Sequence, residues 1–457
     1  MQADGKSTTT AVVLAAGLGT RMKSALPKVL HPVAGRPMIQ HVLATLSEIQ
    51  AENSVVVVGE GMDQLTQSVA PIETSVQIDR LGTAHAVLAA RDYIKAHPSD
   101  DLIVLYGDTP LITAETLRTM LSARRGEANP GVVVLGFEPE DPGPYGRLVL
   151  DRDGSLEAIV EARDATPEQA RIGLCNSGVM VIDGTRALSW LDRIGNDNAK
   201  GEYYLTDVVA IARADGASAA VVTGDADEVL GVNSRVELAT AEAIAQDRLR
   251  RRAMEGGATL TDPASVFLSW DTKLGRDVTV GPNVVFGPGN RIGDDVEIRA
   301  FCHIEGATVA DGVVVGPFAR LRPGADLSKN VRIGNFVEIK AAHLGEGVKV
   351  NHLSYVGDSD VGQGANIGAG TITCNYDGFF KSKTIIGERA FIGSNTALVA
   401  PVTVGAGAII GAGSAISKDV SAGSLAVTRS DQKEVAGWAD RFNARRGKEK
   451  QNKKKEG

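Results

Sequence analysis

Val280-Gly281, Ile292-Gly293, Val315-Gly316, Ile333-Gly334, Val356-Gly357, Val361-Gly362, Ile367-Gly368, Ile386-Gly387, Ile392-Gly393, Val404-Gly405 and Ile410-Gly411 are one motif written eleven times between residues 278 and 416. Most of the gaps are six residues or a multiple of six, with single-residue slips. A second small residue follows several of the glycines, as at Ala365, Ala390 and Ala408. A short fixed period marks a solenoid of parallel strands, one flat strand per hexapeptide. The aliphatic residue is expected to point inward and stack on its copies in neighbouring coils. The glycine is expected to supply a tight corner, often at positive φ. Chance spacing in a Val/Gly-rich segment does not keep eleven pairs in one phase.

The chain is 457 residues long, enough for two or three domains with their own cores. Aromatic residues make up only 4% and glycines number 52, which suits a narrow solenoid interior. The net charge of −8 gives no reason to expect nucleic acid as a partner. Met1 to Thr10 is polar and does not read as a signal peptide, and no apolar run is long enough to span a membrane. Cys175, Cys302 and Cys374 are widely spaced and odd in number, which points to a reducing, cytoplasmic compartment without a disulfide framework.

Ahead of the solenoid the pattern changes. Ala11 to Ala16 reads as a buried strand running into Gly17-Leu-Gly-Thr-Arg21-Met and then Pro27-Lys28. Glycines let backbone N–H groups approach an anion, and Arg21 and Lys28 add charge, so this loop is a phosphate cradle. It is not a P-loop, since no Gly-Lys-Ser/Thr follows, and Met22 replaces the third glycine of a dinucleotide fingerprint. Helices are predicted over Pro37–Ile49, Met62–Val69 and Thr83–Ala96, and strands over Ser54–Gly59 and Asp101–Tyr106. Such alternation predicts a parallel α/β sheet with its site at the carboxyl ends of the strands. Asp108, just past a strand tip, is placed to hold Mg²⁺ beside the phosphates. The loops at Tyr145-Gly146-Arg147, Ile159–Glu161, Asn176–Gly178, Glu202–Tyr204 and Gly231–Asn233 read equally as turns or substrate contacts.

Ser234 to Glu237 is a capping box, and a long helix follows to about Met254, closed by Gly256-Gly257. Its arginines, Arg248 and Arg250 to Arg252, read as a solvated face. The expected division is therefore 1–234, a helical linker at 235–256 acting as a semi-rigid arm, and 257–457. In the solenoid, Arg322 and Lys340 are eighteen apart, which stacks two cations into a phosphate site. His352 lies on another face, and on position alone reads as a structural hydrogen-bonder. The repeat breaks at Thr371 to Lys383, where a loop that leaves a regular scaffold tends to carry function. The basic stretch after Arg441 reads as a disordered, solvated tail.

Leu14-Ala-Ala-Gly-x-Gly-Thr-Arg-Met, Leu26-Pro-Lys-Val-Leu-His31, Tyr106-Gly-Asp, Tyr145-Gly-Arg, Gly201-Glu-Tyr-Tyr-Leu-Thr-Asp207 and Gly231-Val-Asn233 resemble the sugar-nucleotide pyrophosphorylases. Followed by hexapeptide repeats, the chain resembles, from about Ala11 to Arg429, the bacterial bifunctional enzymes with N-acetylglucosamine-1-phosphate uridylyltransferase and glucosamine-1-phosphate N-acetyltransferase activities. The resemblance implies a Rossmann-like nucleotidyltransferase domain, a helical linker, and a left-handed parallel β-helix assembled as a homotrimer. It implies that Leu14, Ala15, Ala16, Gly17 and Lys28 contact UTP or product, with Gln77, Gly82 and Thr83 against the uracil. Tyr106, Gly107 and Asp108 are to bridge nucleotide and sugar. Asp108 and Asn233 are to hold Mg²⁺, and Gly146, Glu161 and Asn176 the N-acetylglucosamine part. The stretch Gln77-Ile-Asp79-Arg80 departs from the Gln-x-Glu-Gln common in the family, so side-chain contacts there are open.

For the second half the resemblance implies His352 as general base on the substrate amine, a task suited to an imidazole. Glu338 is the expected orienting partner. Arg322, Lys340, Tyr355, Asn366, Asn375 and Tyr376 are to hold the sugar phosphate and amine. Ala369, Ser394, Ala412 and Arg429 are to line an acetyl-CoA site shared between subunits. Cys374 reads as a bystander. In-line attack of the sugar phosphate on the α-phosphorus of UTP asks for positioning and charge neutralisation, which Mg²⁺, Arg21 and Lys28 supply without a protein nucleophile. On the residues alone two further readings stay open. One is a pyrophosphorylase whose solenoid only oligomerises or regulates; the other is a nucleotide-sugar binding scaffold without turnover.

Overall fold

The computed structural model describes residues 7–198 and 200–455. Residues 1–6, part of the polar N-terminus discussed above, and residues 456 and 457 at the end of the basic tail lie outside the described residues. The chain forms two compact units. One holds the residues up to Glu255 together with Phe267–Asp271; the other holds Gly256–Val266 and everything from Thr272 onward.

In the first unit, seven strands form the body of a mixed sheet. Their order is Ala219–Thr223, Val132–Phe137, Cys175–Asp183, Asp101–Tyr106, Thr9–Leu14, Asn53–Gly59, Glu73–Gln77. The β-branched runs alternate faces: Val12 and Leu14 enter one buried cluster, Ala11 and Val13 the other. One strand departs from the expected parallel sheet: Cys175–Asp183 runs antiparallel to both neighbours. The cause is its connection. Between Val132–Phe137 and this strand lies an antiparallel ribbon, Arg147–Leu150 with Leu156–Val160, and no crossover helix. The helix expected over Thr83–Ala96 is two, Thr83–Ala89 and Arg91–Ala96, with the fully buried Ala90 as the joint.

The helix Arg235–Glu255 is not a free-standing arm. It buries Ala241 and Ala245 against Val33, Ala34, Met38, Leu111 and Val232 of the first unit. Arg248 is likewise not simply solvated, since its Nη1 donates to the Leu111 carbonyl at 2.6 Å. The capping box forms by half. The Glu237 N–H bonds to Ser234 Oγ at 3.3 Å, but the Glu237 carboxylate accepts from the Asn233 N–H at 2.7 Å rather than from Ser234. Phe267–Asp271 is a clip that the repeat pattern does not announce. Gln246 bonds the Leu268 N–H and carbonyl at 2.8 and 2.7 Å, and the Arg36 guanidinium lies 4.2 Å from the Trp270 ring centre.

The second unit is a parallel β-helix of hexapeptide repeats. Equivalent strands in one face run from Thr259–Leu260 to Leu425–Ala426, all parallel. The register mostly advances by 17 or 18 residues per coil, as from Thr279 to Glu297 and from Glu297 to Val314. The aliphatic residues point inward, as expected: Val280, Ile298, Val315, Ile333 and Val350 are each at most 1% exposed. The role given to the glycines is corrected. Of the eleven motif glycines only Gly316 has positive φ. What excludes a side chain is the next coil. A Cβ on Gly368 would sit 2.6 Å from the Ile392 carbonyl oxygen, and one on Gly281 would sit 2.8 Å from the Ala300 nitrogen. Positive φ instead falls two residues later, at Asn283, Asp295, Phe318, Phe336 and Asn395. The basic tail is also corrected: Trp438–Lys455 is a helix, started by a Trp438–Phe442 stack and tied by Arg446 to Glu449 at 2.9 Å.

Candidate active sites

At the carboxyl ends of the central strands a cavity of about 260 Å³ gathers three separate stretches. The first strand delivers Leu14, Ala15, Ala16 and Gly17, and the turn after it delivers Lys28. The edge strand and the following helix deliver Gln77, Gly82 and Thr83. The strand Asp101–Tyr106 delivers Tyr106 and, just beyond, Asp108. Gly82 is glycine of necessity: its φ is 119° and a Cβ would lie 2.7 Å from the Tyr203 nitrogen. The Gln77 amide is buried and donates to the Gly82 carbonyl at 3.3 Å.

Lys28 Nζ donates to Asp108 Oδ2 and, at 2.9 Å, to Asn233 Oδ1. Asn233 lies outside the cavity lining, yet its oxygen and that of Asp108 converge on one point. The Glu237 carboxylate, on the first turn of the long helix, fixes the Asn233 backbone. Among the described residues no three His, Cys, Asp or Glu side chains converge as a metal cage. Burial pushes the Tyr106 hydroxyl well above its ordinary pKa, with the carboxylates of Asp108 and Glu161 adding to the shift. Burial also raises the Glu161 carboxyl, and the nearby Lys200 opposes it.

Gly146, Glu161 and Asn176 do not line that cavity: Gly146 and Glu161 flank the two ribbon strands, and Asn176 is in the strand Cys175–Asp183. The Asn176 N–H donates to the Gly146 carbonyl at 2.8 Å, and Gly178 packs under the Tyr106 ring, which a Cβ there would meet at 2.7 Å. Gly107 is packed against Ile39 and Val29. Arg21 is exposed on the short turn Thr20–Met22 and does not line the cavity. Arg147 is a structural residue: its guanidinium donates to the carbonyls of Pro142 and Gly143, both at 3.2 Å. Arg80, in the stretch whose side-chain contacts were left open, donates from Nε to the Ala16 carbonyl at 2.8 Å and lines the cavity. Glu202, which the sequence left undecided between turn and contact, lines the cavity.

In the β-helix, His352 Nδ1 lies 2.7 Å from Asn335 Oδ1, one coil earlier in register. The amide oxygen only accepts, so Nδ1 carries the proton and Nε2 is left with its lone pair. This corrects the expected partner. Glu338 is held by Arg322 at 2.8 Å and lies 3.9 Å from Arg320. A run of corner hydrogen bonds then continues from His352. Gly370 donates to the His352 carbonyl, Asn395 to Ala369, Gly413 to Ser394, and the Arg429 guanidinium to Ala412. His352, Ala369, Ser394, Ala412 and Arg429 thus fall in one column.

Arg322, Lys340, Tyr355 and Asn375 fall on the adjoining face. Lys340 pairs with Asp358 at 3.3 Å, and the Asn375 amide donates to Tyr355 Oη at 3.3 Å and to Asp358. Asn366 sits in the His352 sheet, paired with Lys349. The loop breaking the repeat folds on itself through a Tyr376–Lys381 bridge, and the Ser382 N–H closes it onto the Asn375 carbonyl at 2.8 Å. It brings a residue the sequence reading missed: the Lys381 ammonium lies against Lys340, which lowers its pKa, with Arg322 adding to the effect. Cys374 is a free thiol, as are Cys175 and Cys302. No helix among the described residues is long and apolar enough to cross a membrane.

Residues 11–171 match the MobA-like NTP transferase domain family, and residues 271–306 and 383–418 match the bacterial transferase hexapeptide family. The chain is 60% identical to the bifunctional protein GlmU of Paramagnetospirillum magneticum, over 96% of its own length and 97% of the relative's. The proteins of the same name from Rhodospirillum rubrum and Xanthobacter autotrophicus are 61% and 59% identical, over 95% and 96% of this chain and 97% and 98% of theirs.

Proposed function

Because the chain belongs to the bifunctional GlmU family, we propose that it makes UDP-N-acetylglucosamine by two reactions, one in each unit. The β-helix acetylates glucosamine-1-phosphate from acetyl-CoA. The first unit then transfers UMP from UTP to N-acetylglucosamine-1-phosphate and releases pyrophosphate. The observation that carries the reading is the presence of two separate constellations, the Gly17–Gln77–Asp108 cavity and the His352 column.

In the β-helix, His352 Nε2 accepts a proton from the substrate amine, whose lone pair attacks the thioester carbonyl; the C–S bond then breaks and the imidazolium returns the proton to sulfur, so coenzyme A leaves as the thiol. Asn335 holds the imidazole in the required tautomer. Arg322, Lys340 and Lys381 hold the sugar phosphate, while Tyr355, Asn366, Asn375 and Tyr376 orient the amine. Ala369, Ser394, Ala412 and Arg429 line the coenzyme path. The base column and the cation cluster lie on adjoining faces of one chain, which supports a site completed by a neighbouring copy in a homotrimer.

In the first unit, Gln77, Gly82 and Thr83 face the uracil and the Leu14–Gly17 loop faces the phosphates. Arg21 and Lys28 neutralise the leaving pyrophosphate. Tyr106 and Gly107 bridge nucleotide and sugar, with Gly146, Glu161 and Asn176 on the N-acetylglucosamine side. The carboxylate of Asp108 and the amide oxygen of Asn233 are hard donors aimed at one point, a set that fits Mg²⁺ with phosphate and water as further ligands. When bound, the ion supplies charge neutralisation at the phosphates. We place the protein in the cytoplasm, in line with its three free thiols.

The test is a coupled assay with UTP, acetyl-CoA and glucosamine-1-phosphate, read as UDP-N-acetylglucosamine. His352→Ala should abolish product from glucosamine-1-phosphate and spare product from N-acetylglucosamine-1-phosphate. Undiminished acetylation by the variant would overturn the assignment of His352 as the base.

A further inference from the structure

Lys28 occupies the point on which the two proposed metal donors converge. Its ammonium bonds Asp108 Oδ2 and Asn233 Oδ1 at once, and it is largely buried, with 11% of the side chain exposed. An ammonium and a divalent cation cannot share two oxygens, because both need the same lone pairs and the charges repel. We propose that Lys28 is a resident cation that holds the Asp108–Asn233 pair in the nucleotide-free protein and is exchanged for the divalent ion as nucleotide binds. This rests on the reading of Asp108 and Asn233 as the metal donors.

The exchange has a defined destination. Lys28 lines the same cavity as the Leu14–Gly17 loop, so the released ammonium stays within the space proposed for the phosphates. Nucleotide and metal then assist each other: an anion that takes the ammonium frees the donors, and an ion that takes the donors frees the ammonium. Until then the paired oxygens are kept from being uncompensated acceptors in a half-buried site. The order of events follows, with the metal entering together with nucleotide rather than ahead of it.

Mn²⁺ binding to the full-length protein without nucleotide, read by electron paramagnetic resonance of the free ion, tests this directly. Wild type should bind weakly, and Lys28→Gln should bind at least about tenfold more tightly, the size of one charge-assisted hydrogen bond. Lys23→Asn, which removes an exposed charge from the same loop, should change nothing. Unchanged or weaker Mn²⁺ binding by Lys28→Gln overturns the proposal. Mn²⁺ binding that survives Asp108→Asn in both backgrounds overturns the donor assignment beneath it.

Discussion

His352 is oriented by an amide, and this choice has kinetic consequences. Asn335 fixes the tautomer without placing a negative charge beside the imidazolium that the proposed base would become. His352→Ala should lower kcat/KM for acetyl transfer by about 10²- to 10⁴-fold, the usual worth of a positioned general base. Asn335→Asp should keep the geometry, add a carboxylate, and move the acidic limb of the pH–rate profile to higher pH. In the other unit, Asp108→Asn should abolish Mg²⁺-dependent pyrophosphate release, while acetylation persists. Two further histidines bear on stability. Burial lowers the pKa of His31, with Arg235 adding to it, and burial lowers that of His41 despite its bond to the Val33 carbonyl. Held neutral when folded, they take up protons more readily in the unfolded chain. Their stabilising effect is therefore full above about pH 6.5 and falls as pH drops below it. Urea midpoints of the first unit should decline from pH 7.5 to 5.5, and a His41→Gln variant should flatten that slope.

At the scale of the element, the repeat glycines are spacers between coils. Gly281→Ala, remote from the His352 column, should destabilise the β-helix by about 1–3 kcal/mol through overpacking alone, read by denaturant unfolding. Of all the elements, the solenoid was the most legible in the sequence, because inward Val and Ile at a fixed period leave no other way to bury themselves. The reason for the glycine was not legible, since a residue name does not distinguish a need for positive φ from a need for closeness. The cavity was legible wherever a strand runs straight into its own loop, as at Leu14–Gly17 and Tyr106–Asp108. Arg80 was not, because its bond to Ala16 crosses from one strand end to another. The partner of His352 was findable in principle: Asn335 lies seventeen residues earlier, one coil by the register seen elsewhere. Glu338 attracted the assignment because a carboxylate is the familiar partner, yet Arg322 on its own face had already claimed it.

Across the whole molecule the β-helix is a stack in which each coil touches only those on either side, and the loop from Thr371 to Lys383 respects that rule. Strand pairing across it jumps 25 residues, from Asn366 to Phe391, then resumes its ordinary step from Phe391 to Ile409. Such a stack behaves as a one-dimensional array, where melting starts at a free end and travels inward. The last pairing is the short strand Leu425–Ala426, and the coil carrying His352 lies well inside. Amide exchange should therefore be fastest near Leu425, slower towards Phe391, and slowest around Val350. A protein that frays in this way loses its outer coils, where Arg429 sits, long before it loses the proposed base. Mild heat or denaturant should raise the KM for acetyl-CoA before it lowers kcat, so the coenzyme would sense the wear of the molecule first.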